Sequence, residues 1–275
     1  MPLHFEKYQG IGNDFIVVEA ATADALTAEQ AVRLCDRHFG LGGDGVLLLS
    51  PDVSGAPRMT VLNADGSRPE MCGNGLRCVA LHVARRGGEE RQSFTVMTDA
   101  GARDCVVDLK DEETGLVSTH MGVGKSEGET TEQHDGELLH FARINMGNPH
   151  AICFHEPISD ESLDRLGPRL SARIPGGTNV EIVTQLSPTE LHCHVWERGV
   201  GRTLACGTGA AATAVAAVLL GRSPKGSPIT VHLPGGPLTV TVSESLGVTL
   251  RGPAAWVMSG TTKLVRRLPG APHRD

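Results

Sequence analysis

Two cysteines of this chain lie in matching glycine-rich motifs, Cys72-Gly-Asn-Gly and Cys206-Gly-Thr-Gly. An apolar stretch typical of a helix follows each motif, so each thiol is predicted to lie at a helix N-terminus. The free backbone N–H groups of such a terminus attract anions and can lower a thiol pKa from about 8.5 to about 3.5–7.5. A cysteine in that setting can act as a base near neutral pH.

A pair of such thiols on opposite sides of one carbon suits the inversion of a stereocentre. One sulfur, as thiolate, would remove a proton from one face, and the other, as thiol, would return a proton to the opposite face, with one proton shared by the pair. Acid–base catalysis supplies about 10²- to 10⁴-fold, which is too little for a carbon acid beside a carboxylate. We therefore expect backbone N–H groups after both cysteines to stabilise the developing enediolate, at about 10²- to 10³-fold for each donor.

The same order of landmarks occurs twice in the chain. The two cysteines are 134 positions apart (206 − 72), and three glycine-containing pairs recur at that offset within one residue. The pairs are Gly12-Asn13 with Gly147-Asn148, Gly42-Gly43 with Gly176-Gly177, and Ala100-Gly101 with Gly235-Gly236. Four landmarks in one order indicate an internal duplication. We predict an N-terminal domain at 1–112, with 262–275 as a candidate segment that completes it, and a C-terminal domain at 113–261.

Each half has the same predicted order of elements, which is that of an α+β fold. Thr27 and Gln30 form a capping-box pattern for a first helix that is predicted to stop at Gly40, and its counterpart is predicted to start near Ser159. Short glycine-rich connections predict a curved, mainly antiparallel sheet in each half, with the helices packed on or inside it. Nine runs are predicted strands: 15–18, 46–49, 59–62, 94–97, 105–109, 152–154, 180–183, 191–196 and 238–242.

The composition is that of an ordinary folded protein. Of 275 residues, 40% are hydrophobic and 21% are charged. The formal net charge of −7 comes without a basic cluster, which argues against nucleic acid as a partner. The longest apolar run, 210–220, is far shorter than the ~20 residues of a membrane helix, and the N-terminus shows no secretory signal. We expect a cytoplasmic protein with no membrane partner.

Cysteine usage bears on redox state and on metals. Seven cysteines are an odd number, and no two of them form a C-x-x-C pair. This pattern disfavours a disulfide framework and a structural zinc site. His192 and His194 would share one face of a strand, but no third ligand has convincing spacing. We predict free thiols and no metal.

Several short motifs together resemble those of the diaminopimelate epimerase family. They are MCGNGLRC (71–78), ACGTGA (205–210), GNDF (12–15), NADG (63–66), GNPH (147–150), GTNVE (177–181) and WERG (196–199). The resemblance spans nearly the whole chain. It implies an isomerase that interconverts LL- and meso-diaminopimelate without pyridoxal phosphate, metal or other cofactor, for lysine and cell-wall precursor synthesis. It also implies two similar domains, each a curved sheet around a central helix, and a homodimer.

The resemblance assigns site residues one by one. The two bases fall on Cys72 and Cys206, and a pair that modulates their pKa falls on His150 and Glu197. Substrate contacts fall on ten positions: Asn13, Asn63, Gly73, Asn74, Asn148, Asn179, Glu197, Arg198, Gly207 and Thr208. One position departs from the family pattern, since Gly45 stands where many members have a substrate-contacting glutamine.

The chemistry of these residues agrees with a substrate that has two amino acid ends. Glu197-Arg198 offers both signs of charge, and the asparagines offer neutral amide groups to the distal end. Each has a plainer interpretation, because asparagine beside glycine or proline is often a turn residue, an exposed Glu-Arg pair is often a solvated surface feature, and His150 would by default be a structural histidine.

Three other functions stay open. A proline or hydroxyproline racemase of the same architecture would share both cysteine motifs but would not need Asn63, Asn179 and Glu197-Arg198 for a second charged end. A dithiol redox protein would join Cys72 and Cys206 in a disulfide, which would leave the polar residues without a role. A non-catalytic module could bind a small anion at the same two helix N-termini.

Overall fold

A computed structural model describes residues 2–263, with four helices and sixteen strands in that range. The first half contains β1 (Pro2–Gly10), β2 (Asn13–Glu19), α1 (Ala28–Cys35), β3 (Gly45–Pro51), β4 (Pro57–Asn63), α2 (Gly73–Gly87), β5 (Arg91–Thr98), β6 (Gly101–Leu109) and β7 (Thr114–Val123). The second half contains β8 (Lys125–His134), β9 (Glu137–Asn145), β10 (Pro149–Phe154), α3 (Asp160–Arg173), β11 (Asn179–Ser187), β12 (Glu190–Glu197), β13 (Gly201–Arg202), α4 (Gly207–Leu219), β14 (Pro228–Leu233), β15 (Gly236–Val242) and β16 (Gly247–Lys263).

The two halves repeat one topology. In the first, β2 and β3 are parallel across α1, β4 and β5 are parallel across α2, and β1–β2, β3–β4 and β5–β6–β7 are antiparallel. In the second, β10–β11 and β12–β14 are the parallel pairs across α3 and α4, and β9–β10, β11–β12 and β14–β15–β16 are antiparallel. The predicted α+β fold with two similar, mainly antiparallel halves is confirmed.

Strand β16 is shared by the two halves. Its first part pairs with β15 and β7, and its last part pairs with β1, which closes β1 to β7 into a ring. In the predicted completing segment 262–275, Thr262 and Lys263 pair with β1, and 264–275 lies outside the described residues. Strand β7 contributes Val117 to the core around α2 and Met121 to the core around α4. The domain limits 1–112 and 113–261 stay a prediction.

Helices α2 and α4 form the centres of the two cores. Leu76 and Val79 of α2 pack against the inner faces of the first ring of strands, and Ala211 and Val215 of α4 pack in the same way in the second half. Because α4 is apolar on all sides, burial on all sides is the state that its sequence favours. Within residues 2–263, no helix has the length and apolar character that crossing a membrane requires.

The helix that precedes each Gly-Gly loop is capped as predicted. Thr27 Oγ1 accepts from Gln30 N–H at 3.2 Å, and Gln30 Oε1 accepts from Thr27 N–H at 2.8 Å, which completes the capping box of α1. Ser159 caps α3. The predicted stop of the first helix at Gly40 is wrong, because α1 ends at Cys35. There Asp36 leaves the helical conformation and its carboxylate accepts from the N–H groups of residues 38 and 39.

Candidate active site

Cys72 and Cys206 hold equivalent positions, as the N-cap residues of α2 and α4. Cys72 Sγ accepts a hydrogen bond from Gly75 N–H at 3.4 Å, and Cys206 Sγ accepts one from Gly209 N–H at 3.3 Å. Each sulfur therefore occupies the place that a serine, threonine or aspartate oxygen usually takes at a helix N-terminus. All seven cysteines of the chain are free thiols, as predicted.

The N-termini of α2 and α4 contact each other across the junction of the two halves. Asn74 Nδ2, in the first turn of α2, donates to Ala205 O at 3.2 Å, and Gly207 at the start of α4 lies against Asn74. The Glu197 carboxylate raises the pKa of both Cys72 and Cys206. The structure thus brings the two cysteine motifs together at the junction of the halves, a region called the cleft below, with one acidic residue close to both thiols.

His150 is held by Glu181. Its Nδ1 lies 2.6 Å from Glu181 Oε1, and both side chains are completely buried. Because an ionised carboxylate oxygen only accepts hydrogen bonds, this contact is a hydrogen bond when Nδ1 carries the proton. The second ring nitrogen, Nε2, lies 3.1 Å from Asn148 Oδ1, and Asn148 Nδ2 donates to Thr208 Oγ1 at 3.3 Å. This chain of contacts connects the buried carboxylate to the first turn of α4.

Glu181 is a site residue that the sequence analysis missed. It lies within the quoted motif GTNVE, yet no role was predicted for it. Its Oε2 has no hydrogen-bond partner among the described residues, and its charge raises the pKa of the Cys206 thiol. The available signal was a glutamate inside the apolar strand β11, since a fully buried glutamate is rare unless it is paired.

Burial dominates the acid–base behaviour of the thiols. It raises the pKa of Cys206 well above its ordinary value, with Glu197 and Glu181 adding to the rise. It also raises the pKa of Cys72, where the Gly75 N–H bond and the Arg77 guanidinium oppose it. The lowered pKa expected from the helix N-termini alone is therefore wrong for the substrate-free protein, because burial outweighs the N–H bonds.

Glu197 lies at the end of β12, at the entrance to α4. Burial raises the pKa of its carboxyl, and Glu181 adds to that rise, whereas hydrogen bonds with Thr203 and Cys206 oppose it. A glutamate with a raised pKa next to a thiol can exchange a proton with it. The sequence paired His150 with Glu197; the direct hydrogen bond of His150 is to Glu181, and its effect on Glu197 is electrostatic.

The predicted asparagines lie on both sides of the cleft. In the first half, Asn74 Nδ2 donates to Asn13 Oδ1 at 3.1 Å, and Asn13 Nδ2 donates to Asp44 Oδ2 at 2.5 Å. Asn63, at the end of β4, donates to Ser67 Oγ at 2.9 Å and is partly exposed. These amides are already oriented by protein partners before any ligand binds.

In the second half, Asn179 positions the segment that carries Arg198. Asn179 Oδ1 accepts from Arg198 N–H at 3.0 Å, and Asn179 Nδ2 donates to Pro149 O at 3.0 Å. The Arg198 guanidinium is exposed and donates to Gly176 O. Its backbone is therefore fixed close to Glu197 while its charged end lies at the surface.

The sequence of the chain matches the family model described as diaminopimelate epimerase over residues 5–125 and 142–257. This chain belongs to the diaminopimelate epimerase family. Diaminopimelate epimerase from Synechococcus elongatus is 41% identical over 284 residues, which cover 96% of this chain and 99% of that protein. The chloroplastic diaminopimelate epimerase of Oryza sativa subsp. japonica is 39% identical over 288 residues, covering 94% of this chain and 80% of that protein.

Solved structures of other proteins share the fold of this family member. A hydroxyproline epimerase from Agrobacterium vitis has a TM-score of 0.74 at 15% identity and covers 94% of this chain and 92% of its own. A probable proline racemase from Agrobacterium radiobacter K84 has a TM-score of 0.74 at 15% identity and covers 98% of this chain and 94% of its own. At this identity the likeness concerns the fold alone.

The departure from the family pattern at Gly45 has a steric reason. Gly45 begins β3 opposite Asn63 of β4, and a Cβ at this position would lie 2.9 Å from Leu62 O. A glutamine could not be placed there without a shift of the backbone. The neighbouring residue, Asp44, contacts Asn13 instead.

Among the residues that the structure describes, no group of three or more histidine, cysteine, aspartate or glutamate side chains is arranged to hold a metal ion. His192 and His232 stack with ring centroids 4.8 Å apart, and His232 Nε2 bonds Glu190 at the surface, 2.9 Å away. These histidines lie in the surface pairing of β12 with β14.

Proposed function

We propose that this protein interconverts LL- and meso-2,6-diaminopimelate, an isomerisation on the route to lysine and peptidoglycan precursors, and that it needs no cofactor. The observation that carries the proposal is the pair of free thiols at the adjoining N-termini of α2 and α4. Family membership supplies the substrate class, and the site geometry supplies the chemistry.

The proposed reaction is a proton transfer through two bases. One sulfur, as thiolate, takes the α-proton, and the other, as thiol, delivers its proton to the opposite face of the same carbon. The electron pair left on the α-carbon delocalises into the α-carboxylate. N–H groups in the first turns of α2 and α4, at Gly73, Asn74, Gly207 and Thr208, have no partner within their helix and stabilise that enediolate charge.

Recognition of the second amino acid end is assigned to residues around the cleft. Glu197 and Arg198 carry opposite charges, which suit an ammonium and a carboxylate group respectively. Asn13, Asn63, Asn148 and Asn179 present amides that can donate and accept. His150, oriented by Glu181, acts with Glu197 to set the proton balance of the thiols.

The assembly and location are also proposals. We infer a homodimer, as the family resemblance implies, and a cytoplasmic enzyme. Seven free cysteines suit a reducing compartment, because disulfides form and persist in oxidising compartments. Sedimentation velocity on the purified protein tests the dimer, and a monomer at micromolar concentration would contradict it.

Separate Cys72→Ser and Cys206→Ser variants test the two-base mechanism. Each is expected to lose epimerisation of diaminopimelate by about 10²- to 10⁴-fold, because serine is a much weaker acid–base catalyst than a thiol. The measurement is α-proton exchange in deuterated solvent, followed by NMR. Cys105→Ala, which changes a buried thiol on β6, is the matched control and is expected to keep its activity.

The same assay distinguishes the other functions. Full epimerisation by either serine variant would refute the two-base mechanism. Racemisation of L-proline in place of diaminopimelate would identify a proline racemase. Activity that depends on forming and breaking a Cys72–Cys206 disulfide would identify a redox protein, whereas the proposed enzyme is active in the presence of a reductant.

A further inference from the structure

Arg77 is a completely buried cation in the helix that Cys72 caps. Its guanidinium donates to Asn74 Oδ1 at 2.9 Å, to Pro253 O at 3.3 Å and to Gly73 O at 3.5 Å. All three acceptors are uncharged oxygens. Among residues 2–263, no carboxylate forms an ion pair with this side chain.

Such a charge is expensive to bury. An ion without a counter-charge in a protein interior is strongly unfavourable, and arginine does not lose its proton to escape that penalty. The fold nevertheless makes room for it. A Cβ at Gly10 of β1 would lie 3.1 Å from its Nη2, and one at Gly252 of β16 would lie 3.2 Å from its Nε. The guanidinium of Arg77 therefore lies in space that glycines on two strands, β1 and β16, leave free.

The location of the Arg77 guanidinium indicates that the negative charge it stabilises is at the start of α2. Two of its acceptors, Gly73 O and Asn74 Oδ1, belong to the first turn of α2, directly after Cys72. Two charged groups act on Cys72: Glu197 on β12 has the larger effect, and Arg77 on its own helix opposes it. Arg77 also acts on Cys78 of the same helix. The charged groups that act on Cys206 are two carboxylates, Glu197 on β12 and Glu181 on β11. Cys72 therefore has a cation that partly offsets Glu197, whereas both charges at Cys206 are negative.

We propose that Arg77 is a positioning residue of the reaction, whose buried cation favours the anion on Cys72 over the anion on Cys206, so that Cys72 is the first of the two thiols to lose its proton. This proposal rests on the two-base function proposed above. Once that proton has left, the enzyme is ready for the isomer whose α-hydrogen faces Cys72: the α-proton passes to the Cys72 thiolate while the Cys206 thiol delivers its own. For the other isomer, one proton must first move from Cys206 to Cys72.

Arg77 also fixes the amide of Asn74. The guanidinium donates to Asn74 Oδ1, and Asn74 Nδ2 on the other side of the amide donates to Asn13 Oδ1 and to Ala205 O. Loss of Arg77 would therefore disturb both the thiolate and a contact between the halves. A variant that keeps the charge separates the two effects.

The test is the pH dependence of alkylation by iodoacetamide, with each cysteine quantified by peptide mass spectrometry. In the unaltered protein, Cys72 is expected to react with a lower pH midpoint than Cys206. Arg77→Met should raise the Cys72 midpoint by about one pH unit or more and slow its alkylation at neutral pH about tenfold. Arg77→Lys should keep the low midpoint. Arg86→Met, an exposed arginine at the end of the same helix, is the matched control and should change neither.

Two results would overturn the proposal. One is an unchanged Cys72 midpoint in folded Arg77→Met, and the other is a lower midpoint for Cys206 than for Cys72 in the unaltered protein. If Arg77→Met does not fold, the second comparison decides, with Cys72→Ser and Cys206→Ser as references for each signal. Failure of the two-base function would show separately, as full epimerisation by those serine variants.

Discussion

At the residue scale, the two halves of the cleft differ in the side chains that surround otherwise equivalent thiols. The repeat places Ala211 of α4 where α2 has Arg77, since 211 − 77 is again 134. It also places Phe15 and Leu47, an apolar pair on neighbouring strands, where the second half has His150 and Glu181. A cation beside one thiol and a buried carboxylate beside the other therefore break the symmetry of the duplication.

Glu181→Gln tests the role of the buried carboxylate. The substitution keeps the shape of the side chain and removes its charge, so His150 loses the partner that orients Nδ1. We expect kcat to fall by about tenfold to a hundredfold with a smaller change in KM. Because the Glu181 charge raises the pKa of Cys206, the pH midpoint for alkylation of Cys206 should move down.

The chain offers a matched control in the second half. Glu190 bonds His232 Nε2 at 2.9 Å, but this glutamate–histidine pair is exposed on the surface of β12 and β14. Glu190→Gln should leave both kcat and the alkylation profile unchanged. Equal effects of the two substitutions, or no effect of Glu181→Gln on the Cys206 midpoint, would mean that Glu181 has no special role at the thiol.

At the scale of elements, the N-termini of α2 and α4 position the two thiols. The capping box predicted at Thr27 and the helix start predicted near Ser159 are found in the structure because capping is a local interaction. The nine predicted strands lie within nine observed strands for a similar reason. Seven strands of the described residues were not predicted: β1, β7, β8, β9, β13, β14 and β16. Of these, β8 has the polar and mostly exposed sequence KSEGETTEQH and owes its extension to pairing with β9.

Thr27→Ala tests the cap of α1. The substitution removes the Thr27 Oγ1 acceptor for Gln30 N–H and keeps the residue 27 N–H that donates to Gln30 Oε1, and it should lower the free energy of unfolding by about 1 kcal/mol. Chemical denaturation provides the measurement. Thr22→Ala, at an exposed position of the preceding turn, should have little effect. Since α1 lies outside the cleft, kcat should stay constant in both variants, and a loss of activity in Thr27→Ala would assign the helix a role in the site.

At the scale of the whole molecule, the cleft exists because the two halves are held at a fixed separation. They share β16, and the turn between β1 and β2 packs against the second half at Gly235 and Leu204. The turn at Gly235 and its counterpart at Ala100 are held in the same way: Gly235 N–H donates to Leu204 O at 2.8 Å, and Ala100 N–H donates to Glu70 O at 3.0 Å. The turn at Gly235 faces the first half, where it contacts Ile11.

Gly235→Ala tests that contact. A Cβ at residue 235 would overlap the carbonyl oxygen of Ile11, so the halves must shift apart. We expect a loss of about 1–3 kcal/mol in the free energy of unfolding, together with reduced kcat, because the thiols then move relative to each other. Thermal unfolding and the epimerisation assay measure the two effects.

The equivalent position in the first half provides the control. Residue 100 is already alanine, which shows that this turn accepts a Cβ where no neighbour opposes it. Ala100→Gly should cost no more than about 1 kcal/mol, through the greater freedom of the unfolded chain, and should leave kcat unchanged. Full stability and activity of Gly235→Ala would show that the two halves are not held by this contact.

The duplication, the fold class, the two helix-capping thiols and the family to which their motifs point can all be predicted from the amino-acid sequence. These features are carried by residue identity and spacing, which act locally or recur along the chain. The three-dimensional arrangement was needed to show which charges surround each thiol, that burial outweighs the helix N-termini in setting the pKa of the thiols, and that His150 bonds Glu181. Those outcomes depend on residues from separate strands and on exclusion of water, and neither can be read from positions along a chain.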